Sequence, residues 1–204
     1  MRKIWAIRIV SAAVFVLSAL ALPVMAAETA VPGGSPDRVL GKAEAPVTII
    51  EYASLTCPHC AAFEAETLPK IRAEWIDTGK AKLIFRDFPF DNSAFQAAVL
   101  ARCADPDKFY GFIDVLFKSQ ANWGHSKDPG ASLIQIGKLG GVTEARFKSC
   151  QEDKALTDGI LNGRLYAEQV LKVDSTPTFF INGKKLAGAL PYDKFNEALK
   201  GGTP

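Results

Sequence analysis

Cys57-Pro58-His59-Cys60 carries the strongest chemical signal in this chain. The two cysteines follow an apolar run and open a stretch in which Phe63, Leu68, Ile71 and Trp75 fall near helical spacing. Cys57 then ends a strand and Pro58 sits in the first turn of a helix. The free amides of that turn and the helix dipole point at the Cys57 sulfur and stabilise a thiolate. Such settings lower a cysteine pKa from about 8.5 to as little as about 3.5. His59 adds positive charge or a hydrogen bond. A stabilised thiolate stabilises the reduced pair, so the disulfide becomes a stronger oxidant, by about 1.4 kcal/mol for each 30 mV. Cys60 lies one turn on, faces inward and acts as the resolving thiol.

Two other readings of the pair are weak. A structural zinc needs about four ligands, and beyond the pair only Cys103, Cys150, His59 and His125 are available, without a second CxxC or an HxxxH. Inert structural thiols are poorly served by a vicinal pair at a helix start. The chemistry is thiol–disulfide exchange, which calls for no cofactor and no metal.

Two distant residues fit that chemistry. Glu51 lies within the apolar strand. If buried there, its carboxyl is costly to ionise and its pKa rises, so it can relay the proton of Cys60; the alternative is a strand-edge glutamate facing solvent. Pro177, in "DSTPTFF", opens a strand after a helix and is a candidate for a cis peptide bond. That arrangement leaves the Thr176 backbone free to pair with an extended substrate. The alternative is an ordinary trans turn proline.

The elements that must position these residues are legible in the pattern. "VTIIEYA", 47–53, reads as a strand buried on both faces. Pro69 should kink the following helix or mark a restart. A second strand covers 82–87. About 80 residues of helical pattern follow. Asp105-Pro106 reads as a cap with proline in the first turn, and Phe109, Phe112, Ile113, Leu116 and Phe117 form an apolar stripe that belongs to the core. "NWGHSKDPG" reads as a loop, and "ASLIQIGKLGG" as a short helix ending at Gly140 and Gly141. Thr143 caps "TEARFKSC". A longer helix over 153–171 is expected to turn Ile160, Leu161, Leu165 and Val170 inward. Asn182-Gly183 marks a hairpin, and Phe195 and Leu199 lie four apart on a last amphipathic helix.

The chain has 204 residues, 48% of them hydrophobic and 23% charged, which suits one domain, or one domain carrying a large insertion. Residues 1–26 read as a cleavable leader: Arg2, Lys3 and Arg8, an uncharged apolar run over 9–22, then Pro23 and small or modest residues before the cut. The alternative is an uncleaved anchor; either exports the rest. Losing three of 24 basic residues leaves 21 against 22 acidic ones, so the mature chain is near neutral, with no basic stripe for nucleic acid. Export permits disulfides. Of the three connectivities open to four cysteines, local spacing favours Cys57 with Cys60 and Cys103 with Cys150. The latter would be a structural bridge between two helix ends.

With these residues in view, the chain resembles the DsbA-like thioredoxin family of exported thiol–disulfide oxidoreductases. "LGKAEAPVTIIEYASLTCPHC" resembles the family's first strand and active site, "VDSTPTFFINGKKLAGAL" its cis-proline hairpin, and the helical middle its inserted domain. The resemblance covers nearly all of the mature chain. It implies an α/β protein, a thioredoxin fold with an inserted all-helical subdomain: leader 1–26, arm 27–45, thioredoxin part 46–90 and 172–204, insertion 91–171. It implies Cys57 as nucleophile, Cys60 as resolving thiol, Pro58 and His59 as the tuning dipeptide, Glu51 as the buried acid and Thr176-Pro177 as the cis-proline pair. It also implies a bacterial periplasmic enzyme that introduces disulfides into unfolded or partly folded exported proteins with free thiols. A quinone-linked membrane partner of DsbB type would reoxidise it. The 19 residues of 27–45 leave no room for a dimerisation module ahead of the first strand, so a monomer is expected. Where DsbA oxidases often carry valine before the cis-proline, this chain has Thr176, commoner in isomerase-like relatives. The competing readings are a reductase or isomerase kept reduced by a membrane donor, and a chaperone-like binder of unfolded chains.

Overall fold

The computed structural model describes residues 30–202; the expected leader lies outside the described residues. Five strands, β1 (Val39–Gly41), β2 (Val47–Ala53), β3 (Ala81–Asp87), β4 (Thr178–Ile181) and β5 (Lys184–Ala187), form one sheet in the order β1-β3-β2-β4-β5. β2 and β3 run parallel, while β4 is antiparallel to β2, with Tyr52 opposite Thr178. Every residue of β2 is buried, as a continuous apolar run at the centre of a covered sheet requires. β1 lies within the stretch expected as an arm and pairs with β3, Leu40 opposite Leu83. Asn182 and Gly183 join β4 to β5 with φ of 44° and 80°, the positive pair that a two-residue hairpin turn needs.

A helical run over 58–76 follows β2. It comprises α1 (Pro58–Ala62), a π turn (Phe63–Thr67), α2 (Leu68–Ile71) and a second π turn (Arg72–Ile76). Pro69 falls in the first turn of α2, where the α-helix restarts after the π turn. The preceding turn is wide, with the Leu68 amide bonding to the Phe63 carbonyl, and the ladder has already shifted where proline lacks its amide. Phe63 packs on Phe179 of β4 and on Phe195 of the last helix, with ring centroids 4.5 and 5.5 Å away.

Between β3 and β4 the chain is helical: α3 (Asn92–Cys103), α4 (Phe109–Lys118), α5 (Gln120–Trp123), α6 (Pro129–Gly140), α7 (Glu144–Glu152) and α8 (Lys154–Gln169); α9 (Tyr192–Lys200) closes the described chain. The side chains of Asp91, Asp128, Thr143 and Asp153 cap α3, α6, α7 and α8. Asp105 makes no cap bond and precedes a 3-10 turn, Pro106–Lys108; its carboxylate meets Arg146 at 3.3 Å instead. The loop expected over 122–130 is shorter, since Asn122 and Trp123 belong to α5 and Pro129 opens α6. The aromatic stripe of α4 is buried.

The inward face expected for α8 is corrected. Ile160 is buried, but Leu161, Leu165 and Val170 are 47, 48 and 57% exposed. Gly159, Ile160 and Ala167 set the docking face. A Cβ on Gly159 would meet the Ser35 hydroxyl at 2.9 Å, so close approach of the arm, not the bulk of the leucines, fixes how the helix sits.

Cys103, at the end of α3, is disulfide-bonded to Cys150 in α7, 47 residues on. Arg102 of α3 pairs with Asp87 at the end of β3 and donates to the Pro36 carbonyl at 3.0 Å. Arg86 holds Asp37 at 2.8 Å and the Tyr52 hydroxyl at 2.9 Å. These buried ions tie sheet, insertion and arm together. The architecture is a thioredoxin fold carrying a helical insertion.

Candidate active site

The parallel strands end side by side, and the chain leaves β2 through Ser54, Leu55 and Thr56 to Cys57. Cys57 has an extended backbone and caps α1, with Pro58 as the first helical residue. The sequence dictates this turn: proline lacks the amide that an interior helical position needs, and a first-turn position does not need it. Cys57 and Cys60 are unbridged thiols, 7% and 0% exposed. The Cys57 thiol donates to the Thr176 carbonyl at 3.4 Å. The Thr176–Pro177 peptide bond is cis, and the Thr176 hydroxyl is buried with no partner.

The two sulfurs differ sharply in acidity. The Cys57 pKa is pulled down to about 5. The largest influence is a hydrogen bond from the Cys60 thiol. Burial opposes it, and the Thr176 hydroxyl and the amides of Cys60 and His59 lower the pKa further. Thr176 thus serves both states: its carbonyl accepts from the thiol, and its hydroxyl is free to donate once the sulfur is a thiolate. Helix-start amides contribute as expected, while the sulfur–sulfur hydrogen bond was not foreseen. His59 acts on Cys57 through its backbone amide, and its residue is exposed. The Cys60 thiol is pushed far up, first by burial, then by its bond to Cys57 and by the nearby Glu51 carboxyl.

Glu51 is wholly buried, and neither carboxyl oxygen has a protein partner. Its pKa is raised well above the usual carboxylate range by burial, then by Glu64 and Cys57. It does not face solvent. Across the strand pair it opposes Phe85, whose amide donates to the Tyr110 hydroxyl at 3.1 Å. Glu64, four residues past Cys60, borders a cavity of about 350 Å³ with Arg72, Tyr110, Asp114 and Lys118. Burial and Asp114 raise its pKa to about 7, against Arg72 and Lys118.

Sequence reasoning missed three supports. Gln120 of α5 is buried, and its Nε2 donates to the carbonyls of Leu55 at 2.8 Å and Cys57 at 3.0 Å. The Thr56 hydroxyl donates to Asp91 at 2.7 Å, whose other oxygen caps α3. Glu64 lines the cavity of about 350 Å³, and its charge helps to raise the Glu51 pKa. A lone glutamine between a helix end and a tryptophan gives no periodic signal; only its polarity beside the apolar stripe of α4 hinted at a buried role.

Fold and site together define a thioredoxin-fold protein with a dithiol at the start of its first helix. A family model described as thioredoxin matches residues 35–201, and the chain belongs to that family, in its DsbA-like branch. It is 35% identical over 148 residues to a putative protein-disulfide oxidoreductase of Rickettsia bellii, covering 72% of this chain and 57% of that one. It is 30% identical to a probable disulfide bond formation protein D of Bacillus anthracis, covering 73% and 71%. The crystal structure of alpha-DsbA1 from Wolbachia pipientis is similar with a TM-score of 0.74 at 33% identity, over 81% of this chain and 89% of that one. The chain spans little more than half the length of the Rickettsia relatives it matches.

Proposed function

We propose that the chain is an exported thiol:disulfide oxidoreductase of DsbA kind that introduces disulfides into other polypeptides. The observation that carries the reading is the contrast between the two sulfurs: Cys57 is acidic at the helix start, and Cys60 is buried and hard to ionise. A substrate thiolate attacks Cys57 Sγ in the Cys57–Cys60 disulfide. That bond breaks, a mixed disulfide forms, and Cys60 leaves with the electron pair. Glu51, whose burial raises its pKa and favours the protonated form, supplies the proton that Cys60 requires. A second substrate thiolate then attacks the substrate sulfur and releases Cys57 as a thiolate. Two substrate thiols are oxidised, and the Cys57–Cys60 disulfide is reduced by the same two electrons.

The acid shift of Cys57 favours this direction. At pH 7 a thiol with a pKa of about 5 is stabilised as thiolate by about 2 kcal/mol after solvent screening, which raises the reduction potential by about 40 mV. Reoxidation then needs an electron acceptor, and a DsbB-type membrane partner fits, with the protein in the periplasm after loss of residues 1–26. Among the described residues no helix is long and apolar enough to cross a membrane. Pro58, His59, Thr176 and Pro177 shape the sulfur environment, and Cys103–Cys150 braces the insertion. The hydroxyl of Thr176 beside Cys57 favours one competing reading, a reductase or isomerase.

The reduction potential of the Cys57/Cys60 couple against glutathione separates them. A value near that of strong oxidants, about −120 mV, supports the oxidase, and one near thioredoxin's, about −270 mV, overturns it. Replacing Cys57 and Cys60 with serine tests the binder reading: an oxidoreductase loses turnover, whereas a chaperone keeps its anti-aggregation effect.

A further inference from the structure

We infer that the groove between α4 and α6, on the helical insertion, is a binding site for a single-chain amphiphile with an anionic head, a medium-chain carboxylate. The inference stands apart from the redox reading: none of the residues that line the groove belongs to the dithiol loop or to the turn carrying Thr176 and Pro177. The groove holds about 320 Å³, at the low end of the range of about 300–1,000 Å³ for small-molecule sites. Gly111, Phe112 and Val115 of α4 form one wall and Ile136, Leu139 and Gly140 of α6 the other. Lys108, directly before α4, closes one end.

Two glycines shape it. A Cβ on Gly140 would fall 2.2 Å from the Phe112 ring, so the helices meet through that glycine, and the buried ring forms the floor. Gly111 is different. A Cβ there would find no heavy atom within 4 Å, so packing does not require glycine, and glycine inside a helix is less stable than alanine. What the missing side chain keeps is an open groove. The rim is apolar and faces water: Val115 is 44% and Leu139 90% exposed, a cost that an apolar occupant removes.

The lining decides the occupant. Lys108 is its single charged residue, whereas the cavity beside Glu64 carries several. The Lys108 Nζ donates to the Gly140 carbonyl at 3.4 Å, which holds it at the end of α6, and lies 3.6 Å from Asp105. Asp105 also meets Arg146 at 3.3 Å, so it keeps a cation when Lys108 turns to another anion. An exposed pair of this kind is weak and yields to a carboxylate whose tail is buried beside it. Along α4 the rise from Lys108 to Val115 is about 10 Å, the run over which a tail lies against apolar walls. Beyond the end that Lys108 closes, the walls are helix interiors, whose amides and carbonyls bond within their own helices. An extended polypeptide would find no partners there for its peptide groups; an acyl chain has none to satisfy. A groove of this volume takes one such chain, not the two of a bilayer phospholipid.

The test titrates the disulfide form of the full chain with decanoate, hexanoate and decyltrimethylammonium by calorimetry, each below its micelle concentration. Decanoate should bind one per chain. Its affinity should exceed that of hexanoate by at least about tenfold, since each buried methylene adds to it, and that of the cation by about tenfold, from attraction to Lys108 in one case and repulsion in the other. Gly111→Leu fills the groove from a position with open space; decanoate should bind at least about tenfold more weakly, while the melting temperature holds or rises. Leu139→Glu alters a residue that is already 90% exposed, so the fold is secure, and it should weaken decanoate binding as well. Lys108→Glu should reverse the preference between decanoate and decyltrimethylammonium. If Gly111→Leu fails to fold, the other two substitutions decide. Absence of saturable decanoate binding, equal affinity for anion and cation, or affinity unchanged by the substitutions overturns the site. So does a dimer, seen in sedimentation of the unsubstituted chain, that Gly111→Leu dissociates, because a second copy would then cover the groove.

Discussion

The low pKa of Cys57 makes the stability of the reduced protein depend on pH in a direction that can be worked out in advance. Between pH about 5 and about 8.5 the native dithiol form carries a Cys57 thiolate, whereas the unfolded chain carries a thiol. The native state binds fewer protons there, so its unfolding free energy rises with pH, by up to about 1.4 kcal/mol per unit. The contribution is complete above about 8.5 and is lost as pH falls through 5. At pH 7 it amounts to two units, about 2.7 kcal/mol, and partial solvent screening at the sulfur brings it to about 2 kcal/mol. Glu51 works oppositely: its raised pKa keeps a proton that the unfolded chain gives up, so its contribution falls as pH rises above the usual carboxylate range. Both redox forms bury Glu51, so the burial and Glu64 parts of its shift, the larger ones, cancel, and the disulfide form has no thiol to titrate. The quantity to measure is therefore the reduced-minus-oxidised unfolding free energy, from urea titrations at pH 4 to 8. It should grow by about 2 kcal/mol between pH 4 and 7, and the thiolate absorbance of the reduced protein should have its midpoint near 5. A difference flat to within about 0.5 kcal/mol, or a midpoint at or above about 8.5, would refute the reasoning.

Thr176→Val removes the donor that the Cys57 thiolate acquires; the absorbance midpoint should rise by about one unit, the lower end of a charge-assisted hydrogen bond, and an unchanged midpoint would place the hydroxyl outside the site. The same substitution removes a buried unpaired hydroxyl, so melting of the dithiol form at pH 4 should be unchanged or higher. Glu51→Gln should slow dithiol-peptide oxidation about ten- to a hundredfold and, by removing a buried carboxyl, raise stability at pH 8; stopped-flow kinetics and urea unfolding check the two halves separately. Replacing Cys103 and Cys150 with alanine opens a loop closed across 47 residues and should cost about 4 kcal/mol. The Cys57 midpoint should stay near 5 in that variant, and a shifted midpoint would mean that the bridge is part of the redox centre.

The sheet was legible in the sequence wherever one residue type settled the matter. The unbroken apolar run of β2 needed burial on both faces, and Asn182-Gly183 needed the positive φ of a tight hairpin. The pairing of Cys103 with Cys150 followed from local spacing, which set Cys57 with Cys60 and left these two. The buried state of Glu51 was open, because a glutamate in a strand reads the same from either face, and only its neighbours across the sheet resolve it. β1 was hidden in a Pro- and Gly-rich stretch, since three residues are too few for an alternation. The face of α8 was misread because leucines suggested a core side, whereas small residues, Gly159 and Ala167, let the arm and sheet come close. The tuning of Cys57 was only half visible: a helix start follows from Pro58, but the Cys60 thiol and the Thr176 oxygens come from tertiary contact.

Gln120 has a consequence for anyone wishing to pare this molecule down. Its side-chain amide bridges the insertion to two carbonyls of the loop that carries Cys57. Excising the helices between β3 and β4 to leave a minimal scaffold would strip those carbonyls of their shared donor; the Cys57 carbonyl keeps the Ala61 amide at 3.2 Å, and the Leu55 carbonyl would lose its partner at about 1–3 kcal/mol if it stays buried. It would also free the backbone that aims the sulfur. The insertion is thus a buttress of the reactive loop, not a detachable module. Grafting this CPHC segment onto a smaller host would transfer its letters without its geometry, unless a donor in the place of Gln120 went with it.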